Sequence, residues 1–270
     1  MDGVAGNFIP VSSDRGVRAV SFGSAAEDYD RFRPAPPEAV VEWFLPDGAR
    51  RVGDVCAGTG GFSRVLALHA AEVVAVEIDP RMLSVLTDHS PGVRAVCGRG
   101  EDLPVRDGAL DAVTVSSAWH WLDPDACLPE VARVLRPGGV LGVVWNGPAR
   151  HIEWVGELLG RSQRTPTEAD RPAPIPEGRP DRLLSIPAGL PFSEPEFRAI
   201  DWSLPRTPEQ LAGLCGTYSR VTSLDPGQRE SVVREAMDYI GSHPMLAGRS
   251  LIDLPMRARC WRSVRSPSGS

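Results

Sequence analysis

The chain has 270 residues and no lysine; its 29 basic positions other than histidine are all arginine. The pattern fits a GC-rich coding bias, and we attach no mechanism to it. It does exclude one chemistry. A phosphate loop of the form GxxxxGK[ST] has no lysine here to reach the terminal phosphates. The five cysteines, Cys56, Cys97, Cys127, Cys215 and Cys260, are odd in number, and none stands in a CxxC pair. That spacing supports neither a disulfide framework nor a zinc knuckle, and reduced thiols in a cytoplasmic setting are the expectation. The amino-terminal residues lack a basic segment followed by an apolar run, so no signal peptide is expected. No apolar stretch approaches the roughly 20 residues of a membrane helix, so no membrane partner is expected. No HxxxH or paired-carboxylate pattern points to a metal, and no internal repeat is evident. The net charge of −6 argues against nucleic acid as the main partner.

Hydrophobic residues make up 42% of the chain, enough for one large α/β domain or a core with a small appended part. Residues 1–21 read as a flexible arm. Residues 22–146 read as a cofactor-binding core with an amino-terminal lid, in which Ser24 or Pro37 starts a helix. From Arg51 the pattern becomes regular. "RVGDV" is a short apolar strand, and "GFSRVLALHA" a helix with Phe62, Val65, Leu66 and Leu68 inward. "EVVAVEI" is a strand, and "PRMLSVLTDH" a helix with proline in its first turn. "VRAVCG" and "LDAVTVSS" are strands, "DACLPEVARVL" a helix and "GGVLGVVWN" a strand. Strands apolar on both faces, alternating with helices, mean a parallel sheet covered on both sides. Residues 147–264 read as substrate-side cap elements and final strands. They hold a proline-rich loop at Arg164–Asp181, a strand "FRAIDWSL", helices starting near Thr207 and Asp225, and a last strand "LPMRARCWRSV". Arg257, Arg259, Arg262 and Arg265 read as its solvent face and tail, and 265–270 as a polar tail.

The first strand runs into "CAGTGGF". Gly58, Thr59 and Gly60 supply GxG, but Ser63 stands where a dinucleotide fingerprint has its last glycine. Glu77 closes the second strand about 20 residues beyond, the spacing at which an acid meets ribose hydroxyls. Asp54 lies inside the end of the first strand, where a buried acid needs a donor or a positive group. A pyrophosphate is repelled there and an ammonium is favoured. S-adenosyl-L-methionine combines an adenosine for Glu77 with an amino acid for the Asp54 region and has no phosphate.

With "SSAWHWLD" (Ser116–Asp123) after the fourth strand, the chain resembles the class I S-adenosylmethionine-dependent methyltransferases, small-molecule branch with the AxHWxD signature. The resemblance implies an α/β fold: a Rossmann-like, seven-stranded, mostly parallel sheet in the order 3-2-1-4-5-7-6, helices on both faces and a small helical cap over the site. It implies a first motif at Asp54, Cys56, Gly58 and Gly60, with Cys56 in place of a glycine, so that its Cβ narrows the room near the methionine portion. Ala57 and Thr59 belong to the same loop. Ile78 is implied to pack on the adenine face, and Gly100 and Glu101 to meet the adenine amino group, although Arg99 stands where many relatives carry aspartate. Ser116 and Ser117 are implied to line the methionine part. "YDRFRP" resembles the family's lid motif, which implies that Tyr29 and Arg33 reach toward the cofactor carboxylate, as an arginine fork suits carboxylates.

Trp119 and Trp121 read as pocket wall or core, and Trp145 and Asn146 as facing the acceptor. His120 has three readings: a base for the acceptor, a positioning group, or a structural histidine bonded to the backbone. The resemblance implies methyl transfer to an oxygen, nitrogen or carbon of a small, apolar or aromatic metabolite, in which the protein mainly aligns the reactants. Trp154, Phe192, Trp202, Tyr218 and Tyr239 supply the compositional lean toward such an acceptor. Transfer of the 3-amino-3-carboxypropyl group, or cofactor binding without transfer, are the alternatives. Acceptor identity and oligomeric state are not legible in the residues.

Overall fold

The computed structural model describes residues 26–161, 184–222 and 224–267. The arm at 1–21, a helix start at Ser24, the loop Arg164–Asp181 and the end of the tail lie outside the described residues.

Short runs of Val, Ala and Leu, apolar on both faces, build a seven-stranded sheet in the order β3-β2-β1-β4-β5-β7-β6. The strands are β1 (Arg51–Val55), β2 (Glu72–Glu77), β3 (Arg94–Cys97), β4 (Leu110–Ser116), β5 (Leu135–Pro148), β6 (Glu196–Arg206) and β7 (Ile252–Val264). Pairing is parallel from β3 through β5, and β7 runs antiparallel to both β5 and β6. The sheet is open and Rossmann-like. Its strand order reverses between β1 and β4, which places the carboxyl ends of those strands beside a crevice.

The amino-terminal lid holds α1 (Ala26–Phe32) and α2 (Glu38–Phe44). The crossovers carry α3 (Gly61–Leu66), α4 (Pro80–His89) and α5 (Pro124–Val134). Asp79 and Asp123 cap α4 and α5 through their carboxylates, each followed by a proline whose missing N–H costs nothing at a helix start. The third helix is shorter than its sequence suggested. Its inward stripe is Phe62, Ser63 and Leu66, while Leu68 lies past the helix and is 72% exposed. Ser63 takes an inward place because its hydroxyl donates to the buried Asp54 carboxylate at 2.6 Å.

Beyond β5, the described residues form a helical cap of α6 (Glu153–Arg161), α7 (Pro208–Gly216), α8 (Ser219–Thr222) and α9 (Pro226–Ser242). Reciprocal capping boxes at Thr207/Gln210 and Asp225/Gln228 start α7 and α9. Trp154 and Tyr239 are buried within the cap's own apolar cluster, and the Tyr239 hydroxyl donates to Glu157 at 2.7 Å. These two aromatics stabilise the cap from within. Phe192 packs against the main core. Arg257 pairs with Asp201 across β6 and β7. The Nε atoms of Arg262 and Arg265 are buried, so the last strand's arginines are not all on a solvent face. Among the described residues no helix is long and apolar enough to cross a membrane.

Candidate functional site

The crevice is built where β1 and β4 end. Asp54 stands opposite Thr114, and Val55 opposite Val115. Both oxygens of Asp54 accept hydroxyl donors, Ser63 at 2.6 Å and Thr114 at 3.0 Å, and the residue is 1% exposed. Burial pushes its carboxyl up to about 6; the two hydroxyls oppose that rise, and the Glu77 charge adds to it.

Immediately after each strand the backbone turns through the left-handed region. Cys56 has φ 56° and Ser117 φ 55°, the two non-glycine residues with positive φ among the described residues. Side chains rarely adopt this conformation, and both residues line the crevice, so the backbone strain is concentrated there. Burial pushes the Cys56 thiol well up, with the Glu77 charge next in effect, so the sulfur stays protonated and is no nucleophile.

The two loop glycines do different work. Gly58 (φ 59°) lines the crevice, and a Cβ there would meet nothing within 4 Å. Gly60 (φ 82°) is a packing glycine; a Cβ there would stand 2.8 Å from Leu86 and 3.0 Å from Ser90. Glu77 holds the loop from the second strand. One oxygen accepts from the Gly58 N–H at 2.8 Å, and the other accepts from Ile78 and Asp79 at 2.9 Å each. Burial pushes the Glu77 carboxyl up, and these three backbone donors hold it back.

The structure thus brings Tyr29, Arg33, Asp54, Cys56, Ala57, Gly58, Thr59, Ser116, Ser117 and Asn146 around one crevice with about 80 Å³ of room. The remaining expected residues stand apart from its lining. Ile78, behind Glu77, does not border it. Gly100 is a core glycine, where a Cβ would lie 2.6 Å from Leu122. Glu101 accepts from the Asp123 N–H at 3.1 Å and faces Arg99 at 3.7 Å.

Strand alternation divides the aromatic set. Asn146 faces the lid, donating to the Pro34 carbonyl at 3.0 Å and accepting from Trp202 Nε1 at 3.2 Å. Trp145 points to the opposite face of the sheet, against the main core. His120, on the 3-10 turn Trp119–Trp121, lies with Trp145 (ring centroids 5.0 Å apart) and Trp121 (4.3 Å). Trp119 is 5% exposed and packs in the core, one of its two expected places. His120 is exposed along part of its surface while the indoles crowd its ring. Loss of solvent there lowers its pKa, a direction that keeps it neutral near pH 7. Among the described residues neither ring nitrogen is hydrogen-bonded.

Arg33 lines the crevice, but its bonds go elsewhere. Nε donates to the Thr217 hydroxyl at 3.0 Å and Nη2 to the Thr217 carbonyl at 3.1 Å. This lid-to-cap contact was missed in the sequence, as were the two hydroxyls on Asp54. Thr114 carried a signal as the lone polar residue inside an apolar strand. Ser63 carried one as the break in the glycine pattern.

A model described as "Methyltransferase domain" matches residues 53–143. An uncharacterised methyltransferase of Mycobacterium tuberculosis is 36% identical over 250 residues, covering 91% of this chain and 96% of the relative. An uncharacterised methyltransferase-like protein of Schizosaccharomyces pombe is 28% identical over 256 residues, covering 92% and 96%. A solved structure from Anaeromyxobacter dehalogenans, assigned to type II methyltransferases, superposes with a TM-score of 0.61 at 24% identity, covering 88% of this chain and all of that one. That last likeness speaks for the fold.

Proposed function

The chain belongs to the class I S-adenosylmethionine-dependent methyltransferases, and from that premise we propose that the crevice beside Gly58 holds S-adenosyl-L-methionine for methyl transfer to a small molecule. The observation that carries the reading is the open space over Gly58 next to the buried acid Asp54. A backbone free to be approached and a buried negative charge suit an amino-acid ammonium and repel a phosphate. The donor set fits the rest of the group. Glu77 Oε2 accepts one backbone bond and keeps a site for a ribose hydroxyl, whereas Oε1 already accepts two. Tyr29, Arg33, Ala57, Thr59, Ser116 and Ser117 surround the amino-acid end. Ile78, Gly100 and Glu101 mark the adenine side.

When bound, the cofactor supplies a methyl group on a positively charged sulfur, already activated for displacement. The chain's own residues are left with binding, alignment and the exclusion of water. Asp54 holds a negative charge in place for the ammonium. Cys56 and Ser117, fixed by their strained turns, set the width of the crevice. His120 is neutral and stands outside the lining, and we assign it a part in shaping the acceptor side with Trp121 and Trp145. Residues 22–146 then form the cofactor half, and 147–264 the acceptor half.

The test is calorimetric titration with S-adenosylhomocysteine, followed by incubation with cofactor labelled in the methyl group or in the methionine chain. Binding with label passing from the methyl alone is the expected result. No binding of either ligand to the wild-type protein sinks the reading. Glu77→Ala should weaken binding by at least about tenfold and also lower the melting temperature, because it removes the loop's anchor as well as a ligand contact.

A further inference from the structure

Tyr218, between α7 and α8 in the cap, carries a buried hydroxyl with no hydrogen-bond partner of normal geometry. Native proteins leave few such groups unpaired, so an orphan points to something that completes it. Two guanidiniums close on its ring. The Arg33 Cζ lies 4.4 Å from the ring centroid and the Arg150 Cζ 5.5 Å. They arrive from distant parts of the chain, Arg33 from the strap after α1 and Arg150 from the turn after β5. Among the described residues neither guanidinium pairs with a carboxylate, and Arg150 is set against the Tyr218 side chain. Two positive charges beside one buried O–H donor lack an anion.

We infer that Arg33, Arg150 and the Tyr218 hydroxyl form a carboxylate subsite for the acceptor, so that the small-molecule substrate carries a carboxylate on an apolar body. Arginine's planar fork suits a carboxylate, and the phenol adds a third donor. The apolar body follows from the surroundings, since Tyr218, Trp202 and Leu224 pack against the cap's hydrophobic cluster. Arg33 alone of the three lines the cofactor crevice, whereas Arg150 and Tyr218 lie outside its lining. An anion held by that pair therefore stands beside the cofactor's amino-acid end. The inference rests on the reading of the crevice as the cofactor site.

The other source of a carboxylate is the cofactor itself, and the experiment separates the two. Protein saturated with S-adenosylhomocysteine is titrated with benzoate, phenylacetate and cinnamate, each against its own amide. At least one acid should bind about tenfold tighter than its amide. Arg150→Met should erase that preference while leaving S-adenosylhomocysteine affinity within about threefold. Tyr218→Phe should weaken the acid with a melting temperature unchanged or higher, since it removes an unsatisfied buried hydroxyl. The inference is overturned if no acid is preferred to its amide, if Tyr218→Phe leaves the preference intact, or if Arg150→Met costs cofactor-product affinity instead. Absence of S-adenosylhomocysteine binding to wild type is the separate failure of the crevice reading.

Discussion

Asp54 is the residue whose chemistry is most exposed to a change of conditions. Its carboxyl titrates at about 6 in the folded chain against 3.8 in the free group. A raised pKa means that its favourable share of folding is fully present below pH 3.8 and is lost as pH rises through 6, where folding must hold a buried anion. An ammonium arriving beside it reverses that burden, so cofactor binding favours the ionised form. Affinity for S-adenosylhomocysteine should therefore fall as pH drops through 6, by about tenfold between pH 7 and pH 5. Calorimetry at both values checks the slope, and Asp54→Asn should flatten it while weakening binding at pH 7. The cysteines give a second test at this scale. Cys97 is exposed, Cys56 is half-buried with its thiol pushed up, and Cys127, Cys215 and Cys260 are buried with thiols pushed up to about 12. Iodoacetamide at neutral pH should therefore modify Cys97 first. Mass spectrometry of the native protein reads this directly, and early labelling of Cys56 would contradict a protonated, enclosed sulfur.

Elements were legible where their signals are local. The apolar runs at 51–55, 72–77 and 110–116 read as strands because burial on both faces leaves no alternation to misread. Thr207 and Asp225 read as helix starts because a capping box spans only four residues. The division of His120, Trp145 and Asn146 between the two faces of the sheet was not legible, because it depends on register at the end of β5. Asn146 became a tie between lid and sheet through Pro34 and Trp202, contacts 112 and 56 residues away in the chain. No window of sequence contains both ends of such a contact. Asn146→Ala should leave the Trp202 N–H without its partner and release the strap, costing about 1–3 kcal/mol. Urea denaturation measures the loss, and faster amide hydrogen exchange around residues 33–38 locates it.

At the scale of the molecule, the lid is fastened at both ends. Asp30 pairs with Arg64 at 2.7 Å and with His89 at 2.9 Å, tying α1 to the cofactor half. Arg33, three residues on, bonds twice to Thr217 and stacks on Tyr218, tying the same segment to the cap. The fit is close at this second attachment; a Cβ at Gly213 would lie 2.5 Å from the Phe32 ring. This segment lines the crevice, which has about 80 Å³ of room, so a ligand larger than that enters the lined part only as the segment moves. One of these two fastenings, or the Asn146 tie to Pro34, must then yield. The cap side consists of two hydrogen bonds and ring stacking, without a carboxylate, and is the weaker. Arg33→Met should accordingly speed the release of S-adenosylhomocysteine by about tenfold and change its association rate much less, as contacts that close behind a ligand act mainly on escape. Thr217→Val separates the latch from the charge, since it removes the side-chain acceptor and leaves the arginine in place. Stopped-flow release that accelerates in both variants supports a latch. Acceleration in Arg33→Met alone would mean that the guanidinium acts on the ligand directly and that the lid opens by some other route.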